Sequence, residues 1–96
     1  MFDLNICMRV ESEEDFPALR KHIDAYKHRF PMFVHDVNRI EHMVENHIQN
    51  FSLAGVHYRQ TKSRTYLEKA QHELDRINEI ILLVDKMELM ALIARA

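Results

Sequence analysis

An all-α fold is what this sequence predicts: a long helical hairpin with an extra N-terminal helix, dimerising into a four-helix-bundle-like core. Three observations predict it. Two blocks, 33–51 and 66–94, carry apolar residues at alternating three- and four-residue spacing, the repeat that keeps one helix face against a partner. One Gly and two Pro in 96 residues leave almost nothing to interrupt helices. Hydrophobic content of 47% beside 29% charge is the balance of a packed chain rather than a disordered one. A chain this short forms one domain, 1–96, and buries a modest share of its surface, so an apolar surplus points to an oligomer.

The first element is the least helical in pattern. Phe2, Leu4, Ile6, Met8 and Val10 alternate with Asp3, Asn5, Cys7 and Arg9, the period of a half-buried strand. Residues 1–12 are therefore expected as a short β-strand or a flexible arm. Ser12, Glu13, Glu14 and Asp15 then place a cap and negative charge at a helix start, and Phe16, Leu19, Ile23, Tyr26 and Phe30 follow on one face. The first helix is expected over 14–29, with Pro17 tolerated in its first turn and Pro31 forcing a break at Phe30.

The second helix is expected over 31–52. Its seam is Phe33, Val37, Ile40, Val44, His47 and Phe51, and Ser52 to Gly55 reads as its exit. Residues 57–65 lack periodicity and read as a connector or as a loosely wound first turn of the third helix. The third helix, 62–94, has Leu67, Ala70, Leu74, Ile77, Ile81 and Val84 on a strict repeat. From Ile80 to Ile93 the apolar set exceeds one packing stripe. The surplus assigns Leu74, Ile77, Ile81, Val84 and Met87 to a homodimer interface.

Composition removes several classes of function. A net charge of −2 and an isoelectric point near 6.4 provide no general attraction to nucleic acid. The lone Cys7 allows no internal disulfide and suits a reducing compartment, so the cytoplasm fits best. The start MFDLNICMRV lacks the basic and long apolar regions of a signal peptide, and Asp85, Lys86 and Glu88 interrupt the last apolar run, so no membrane association is expected.

Chemistry is sought first at His35 and Asp36. At about 100° per residue His35 points roughly 200° away from Phe33, off the seam, and His42 repeats that placement one heptad on. An exposed neutral imidazole is a competent nucleophile for phosphoryl transfer, and a neighbouring carboxylate can take or orient a proton. The plainer reading is a solvated helix surface.

These residues resemble the dimerisation and histidine-phosphotransfer hairpin of sensor histidine kinases. His35-Asp36 is similar to the phosphoacceptor pair. Tyr66-Leu67-Glu68 and the run from His72 to Glu88 are similar to the second helix of that hairpin, at the family's usual interval. The resemblance covers about 30–90 and implies phosphoryl exchange with a receiver-domain Asp through His35, assisted by Asp36, with Asn38, Arg39 and His42 docking the partner. Two positions depart from the pattern. Arg39 stands where the family places Thr or Asn, and Ile40 where it places Pro, which bears against phosphatase activity. No ATP-binding domain fits in the remaining residues, so phosphate would come from another protein.

Other constellations carry less. Seven His invite a metal, yet no Glu-x-x-His pair occurs and His42 with Glu45 has the reverse order. No metal and no cofactor are expected. His47 on the seam suits a hydrogen-bonded structural histidine. Arg29 and His35 match a loose ribonuclease-like spacing that Pro31 interrupts. His57, Arg59, Lys62 and Arg64, with Tyr58 and Tyr66, read as a solvated connector before they read as a phosphate contact. Met32, Met43, Met87 and Met90 suit an adaptable core. The function expected is a non-catalytic dimeric helical adaptor or regulatory interaction module, with histidine phosphotransfer through His35 as the alternative.

Overall fold

The computed structural model describes the backbone of residues 9–95 and the side chains of residues 9–86. The architecture is all-α. A 3₁₀ turn at Glu13–Asp15 leads into α1 (Phe16–Arg29), a second 3₁₀ turn at Pro31–Phe33 leads into α2 (Val34–Thr61), and α3 (Arg64–Arg95) follows at once. Among the described residues there is no strand. Of the segment expected to form one, Arg9 and Val10 are irregular and the rest lies outside the described residues.

Local chemistry explains where α1 begins and ends. The Asp15 carboxylate accepts the N–H groups of Glu11 and Ser12 at 2.9 and 3.3 Å, and the Asp15 N–H donates to the Ser12 carbonyl at 3.1 Å. Donors that would otherwise be unsatisfied at a helix start are thus occupied. Pro17 sits in the first turn, where its missing N–H costs nothing. At the far end Phe30 leaves helical geometry at φ −130°, ψ 68°, as a residue preceding proline must.

α2 and α3 form an antiparallel hairpin of 28 and 32 residues, about 42 and 48 Å at 1.5 Å per residue. The expected exit of α2 at Ser52–Gly55 and the connector over 57–65 are corrected: the helix runs through the first and on to Thr61, only Lys62 and Ser63 lie between the helices, and α3 starts at Arg64. Gly55 is a helix-interior residue whose missing Cβ would meet nothing within 4 Å, so its presence weakens the helix without stopping it. The reversal is made by Lys62 in the left-handed region at φ 57°. Its N–H donates to the Tyr58 carbonyl at 2.7 Å, the bond that closes such a helix end. Thr61 Oγ1 donates to the His57 carbonyl and accepts the Ser63 N–H, at 2.8 and 3.2 Å.

α1 packs antiparallel to the first part of α2, as three contacts show: Lys27 with Glu41, Arg20 with Glu45, and the Phe16 ring edge-on to Phe51 at 5.5 Å. It also reaches α3, where His22 Nε2 lies 3.3 Å from Asp85 Oδ1. The core is the meeting of the three helices: Phe16, Leu19, Ile23, Tyr26 and Phe30 from α1 and its exit, Val37, Ile40, Val44 and Ile48 from α2, and Leu74, Ile77, Ile80, Ile81 and Val84 from α3. Leu19, Val37 and Ile77 are fully buried.

Two packing expectations change accordingly. Leu74, Ile77, Ile81 and Val84, given to a dimer interface, are buried inside one chain, because α1 fills the place assigned to a second copy. The side chain of Met87 lies outside those described. Leu67, the first residue of the expected α3 seam, is 51% exposed, because α1 begins at the level of Phe51 and no other described element backs the hairpin beyond it.

Val10 completes the core from outside the helices. Its side chain is 1% exposed, and its backbone is held by a single side chain, Asn78. The Asn78 amide accepts the Val10 N–H at 2.8 Å and donates to the Val10 carbonyl at 2.9 Å. One side-chain amide thereby satisfies both polar groups of one backbone residue, as a neighbouring strand would.

Candidate functional site

His35 and Asp36 occupy the first turn of α2, immediately after the 3₁₀ turn that Pro31 opens. Both are exposed, as are Asn38, Arg39 and His42. None of the five makes a hydrogen bond or ion pair with a described residue. Spacing sorts them. His35, Asn38, Arg39 and His42 stand at i, i+3, i+4 and i+7 and share one outward stripe, whereas Asp36 is turned about 100° away. His35 and Asp36 therefore do not face one another, and the carboxylate has no bond to the imidazole it was expected to assist. Asp36 has a simpler role: it is the acidic residue in the first turn of α2, where a negative charge complements the helix dipole.

Two other histidines are structural. His47 Nδ1 is hydrogen-bonded to Glu73 Oε2, joining α2 to α3, and His22 joins α1 to α3 through Asp85. Both are largely covered. Charged pairs of the permanent kind join α1 to α2. Arg20 holds Glu45 through two guanidinium nitrogens, at 2.8 and 3.2 Å, and this hydrogen bonding keeps the Glu45 carboxyl below its ordinary value and the Arg20 guanidinium above its own.

Among the described residues no three His, Cys, Asp or Glu side chains come together to hold a metal ion. No helix is long and apolar enough to cross a membrane.

A concavity lies at the other end of the hairpin, partly along residues expected to form a connector. An open groove of about 680 Å³ runs between Asn50, Leu53, Ala54 and His57 of α2 and Tyr66, Lys69, His72 and Glu73 of α3. The α2 residues stand at i, i+3, i+4 and i+7, a single stripe, on the side of the hairpin away from α1. His57 and Tyr66 are stacked at 5.0 Å, and the Lys69 ammonium lies 5.4 Å from the Tyr66 ring centre. On the opposite side of the turn Lys62 lies over Tyr58 at 5.6 Å.

No sequence signal marks this groove, because its two walls are eight and more residues apart and meet only through the left-handed turn at Lys62. The usable hint is the absence of Gly and Pro between 56 and 96, which argues for helix through the supposed connector. Set against protein-family models, curated proteins and solved structures, the chain matches none of them.

Proposed function

We propose that this chain is a non-catalytic protein-interaction module, an adaptor or regulatory element that meets its partner with the surface of the α2–α3 hairpin. One observation supports this above the others. Among the described residues no other element packs on the hairpin beyond α1, and there Leu53, Val56 and Leu67 are 57%, 45% and 51% exposed. Apolar side chains on an unbacked two-helix projection suit a partner's surface. The polar residues sought for catalysis do not converge: His35 and Asp36 lie on different faces at the opposite end.

Leu74, Ile77, Ile81 and Val84 belong to the core of one chain, so this reading does not rest on them as a dimer interface. A reducing, cytoplasmic setting belongs to this reading and rests on the lone Cys7.

A second reading, phosphoryl exchange with a receiver-domain Asp, draws on one observation: His35 is exposed, has no side-chain partner among the described residues, and shares a stripe with Asn38, Arg39 and His42. One experiment separates the two. The chain is incubated with acetyl phosphate or phosphorylated receiver domains and read by intact mass at neutral pH, beside His35→Ala. The interaction reading expects no gain in mass and a silent His35→Ala. A gain of one phosphoryl group that disappears in the variant overturns it.

A further inference from the structure

α3 carries a second stripe on the side away from the core. Glu79, Leu82, Leu83 and Lys86 stand at i, i+3, i+4 and i+7 and fall within about 100° of arc, centred opposite the fully buried Ile77. All four are exposed, Leu82 by 59% and Leu83 by 51%. The stripe is palindromic in spacing: Glu-x-x-Leu-Leu-x-x-Lys places its residues alike in both directions, with opposite charges at the two ends. Lys86 has no carboxylate within ion-pair distance among the described residues, and its neighbour Asp85 is turned to His22 at 3.3 Å. Glu79 gives Oε2 to Arg76 at 3.1 Å on its own helix, a pair that leaves its other oxygen for a further cation.

We propose that this stripe pairs with the same stripe of a second copy, the two α3 helices running antiparallel about a two-fold axis between Leu82 and Leu83. In that register Glu79 of one copy lies opposite Lys86 of the other, and Leu82 of one opposite Leu83 of the other. A two-fold contact repeats each pairing, so two carboxylate–ammonium pairs bracket four leucines. Charge complementarity selects both the occupant and its direction. A second copy supplies the apolar centre and both charges at the required spacing, whereas a parallel copy would set Glu79 against Glu79 and Lys86 against Lys86. The patch is smaller than the roughly 1,200 Å² that a stable complex buries, so the association is weak and reversible. This surface is separate from the hairpin tip and from the intrachain seam of α3.

The test is sedimentation equilibrium of the full chain at low salt, from roughly 10 μM to 1 mM. A monomer–dimer equilibrium is the expected result. Glu79→Lys and Lys86→Glu each set like charges opposite one another across the two-fold, and each is expected to weaken association roughly tenfold. The double variant Glu79→Lys/Lys86→Glu restores the pairing and should associate as wild type does. Leu83→Asp should leave a monomer, and Leu53→Asp at the tip should change nothing. All these side chains are exposed, so the core is spared, and the urea midpoint of each variant checks that it is folded. A wild type that stays monomeric throughout overturns the proposal. So do single charge variants that associate as tightly as wild type, a double variant that does not recover, or a Leu53→Asp that abolishes association. Each of these results leaves the interaction-module reading standing, because that reading rests on the tip.

Discussion

The two ends of this molecule are built from the same hairpin and differ in what lies against it. Toward the α1 end, three helices converge, and Val37, Ile40, Val44 and Ile48 of α2 and Leu74, Ile77, Ile81 and Val84 of α3 are buried. Toward the tip two helices face each other alone, Ala54 is buried, and Leu53, Val56 and Leu67 stay in water. A two-helix contact covers one narrow stripe on each partner, and a third helix is needed to close the wide apolar face. The covered end holds most of the buried apolar residues, and the tip leaves Leu53, Val56 and Leu67 exposed.

The sharpest way to break the comparison is to cut equivalent side chains at both ends. Ile77→Ala, at a fully buried position, is expected to cost about 3–4 kcal/mol by urea unfolding, since it loses transfer energy and leaves a cavity. Leu67→Ala, half exposed at the tip, is expected to cost under about 1 kcal/mol. Equal losses would mean that the tip is as tightly packed as the core.

Next in size is the Asn78 clamp. Asn78→Ala removes two hydrogen bonds to Val10 and is expected to cost about 1–3 kcal/mol, because the Val10 backbone groups are left partly buried without partners. Asn78→Asp keeps the acceptor and loses the donor, so it should fall between wild type and Asn78→Ala. Hydrogen exchange at the Val10 amide reads the same clamp locally, and undiminished protection in Asn78→Ala would remove it as the anchor.

Smaller effects sharpen the tip. Gly55→Ala is expected to stabilise by about 0.5–1 kcal/mol in thermal unfolding, since the new methyl meets open space and the helix gains propensity. Lys62→Gly should stabilise by a similar ~0.5–1 kcal/mol in the same measurement by relieving the left-handed backbone.

The smallest expected effect lies on the covered end, at Arg20 and Glu45. The Glu45 carboxyl is depressed in the folded state from its ordinary 4.5. Its contribution is therefore fully present above about pH 4.5 and is lost as the pH falls through the lower, folded value. Both side chains are about half exposed, 51% and 41%, so solvent screening holds the pair to under about 0.5 kcal/mol. Glu45→Gln should leave stability at pH 7 nearly unchanged and flatten its loss below pH 4.5, measured by urea midpoints across the acid range.

How much was legible differs element by element. The start of α1 at the acidic cap, its stop before Pro31, and the faces of α2 and α3 follow from residue spacing, because capping, proline geometry and helical period act within a few residues. The exposure of His35 and His42 was legible for the same reason. The end of α2 was not. Gly55 looked like a stop but lies inside the helix, and the true reversal uses Lys62, a residue with no turn preference. The groove at the tip and the Asn78 clamp were equally hidden, since Val10 and Asn78 are 68 positions apart and nothing in either neighbourhood names the other.

Local order, then, belongs to the sequence by itself: an all-α chain with amphipathic helices, a break at Phe30–Pro31, and polar residues on the outer stripe of α2. Only the tertiary structure decided which apolar faces meet. Leu74, Ile77, Ile81 and Val84 suit a second copy or a third helix equally well by pattern, because hydrophobic contact has no direction and depends on the area removed from water. The turn after Phe30 folds α1 back onto the hairpin, and in one chain these residues are buried in the three-helix core. The same fold-back stops at Phe51, and beyond it no other described element backs the tip.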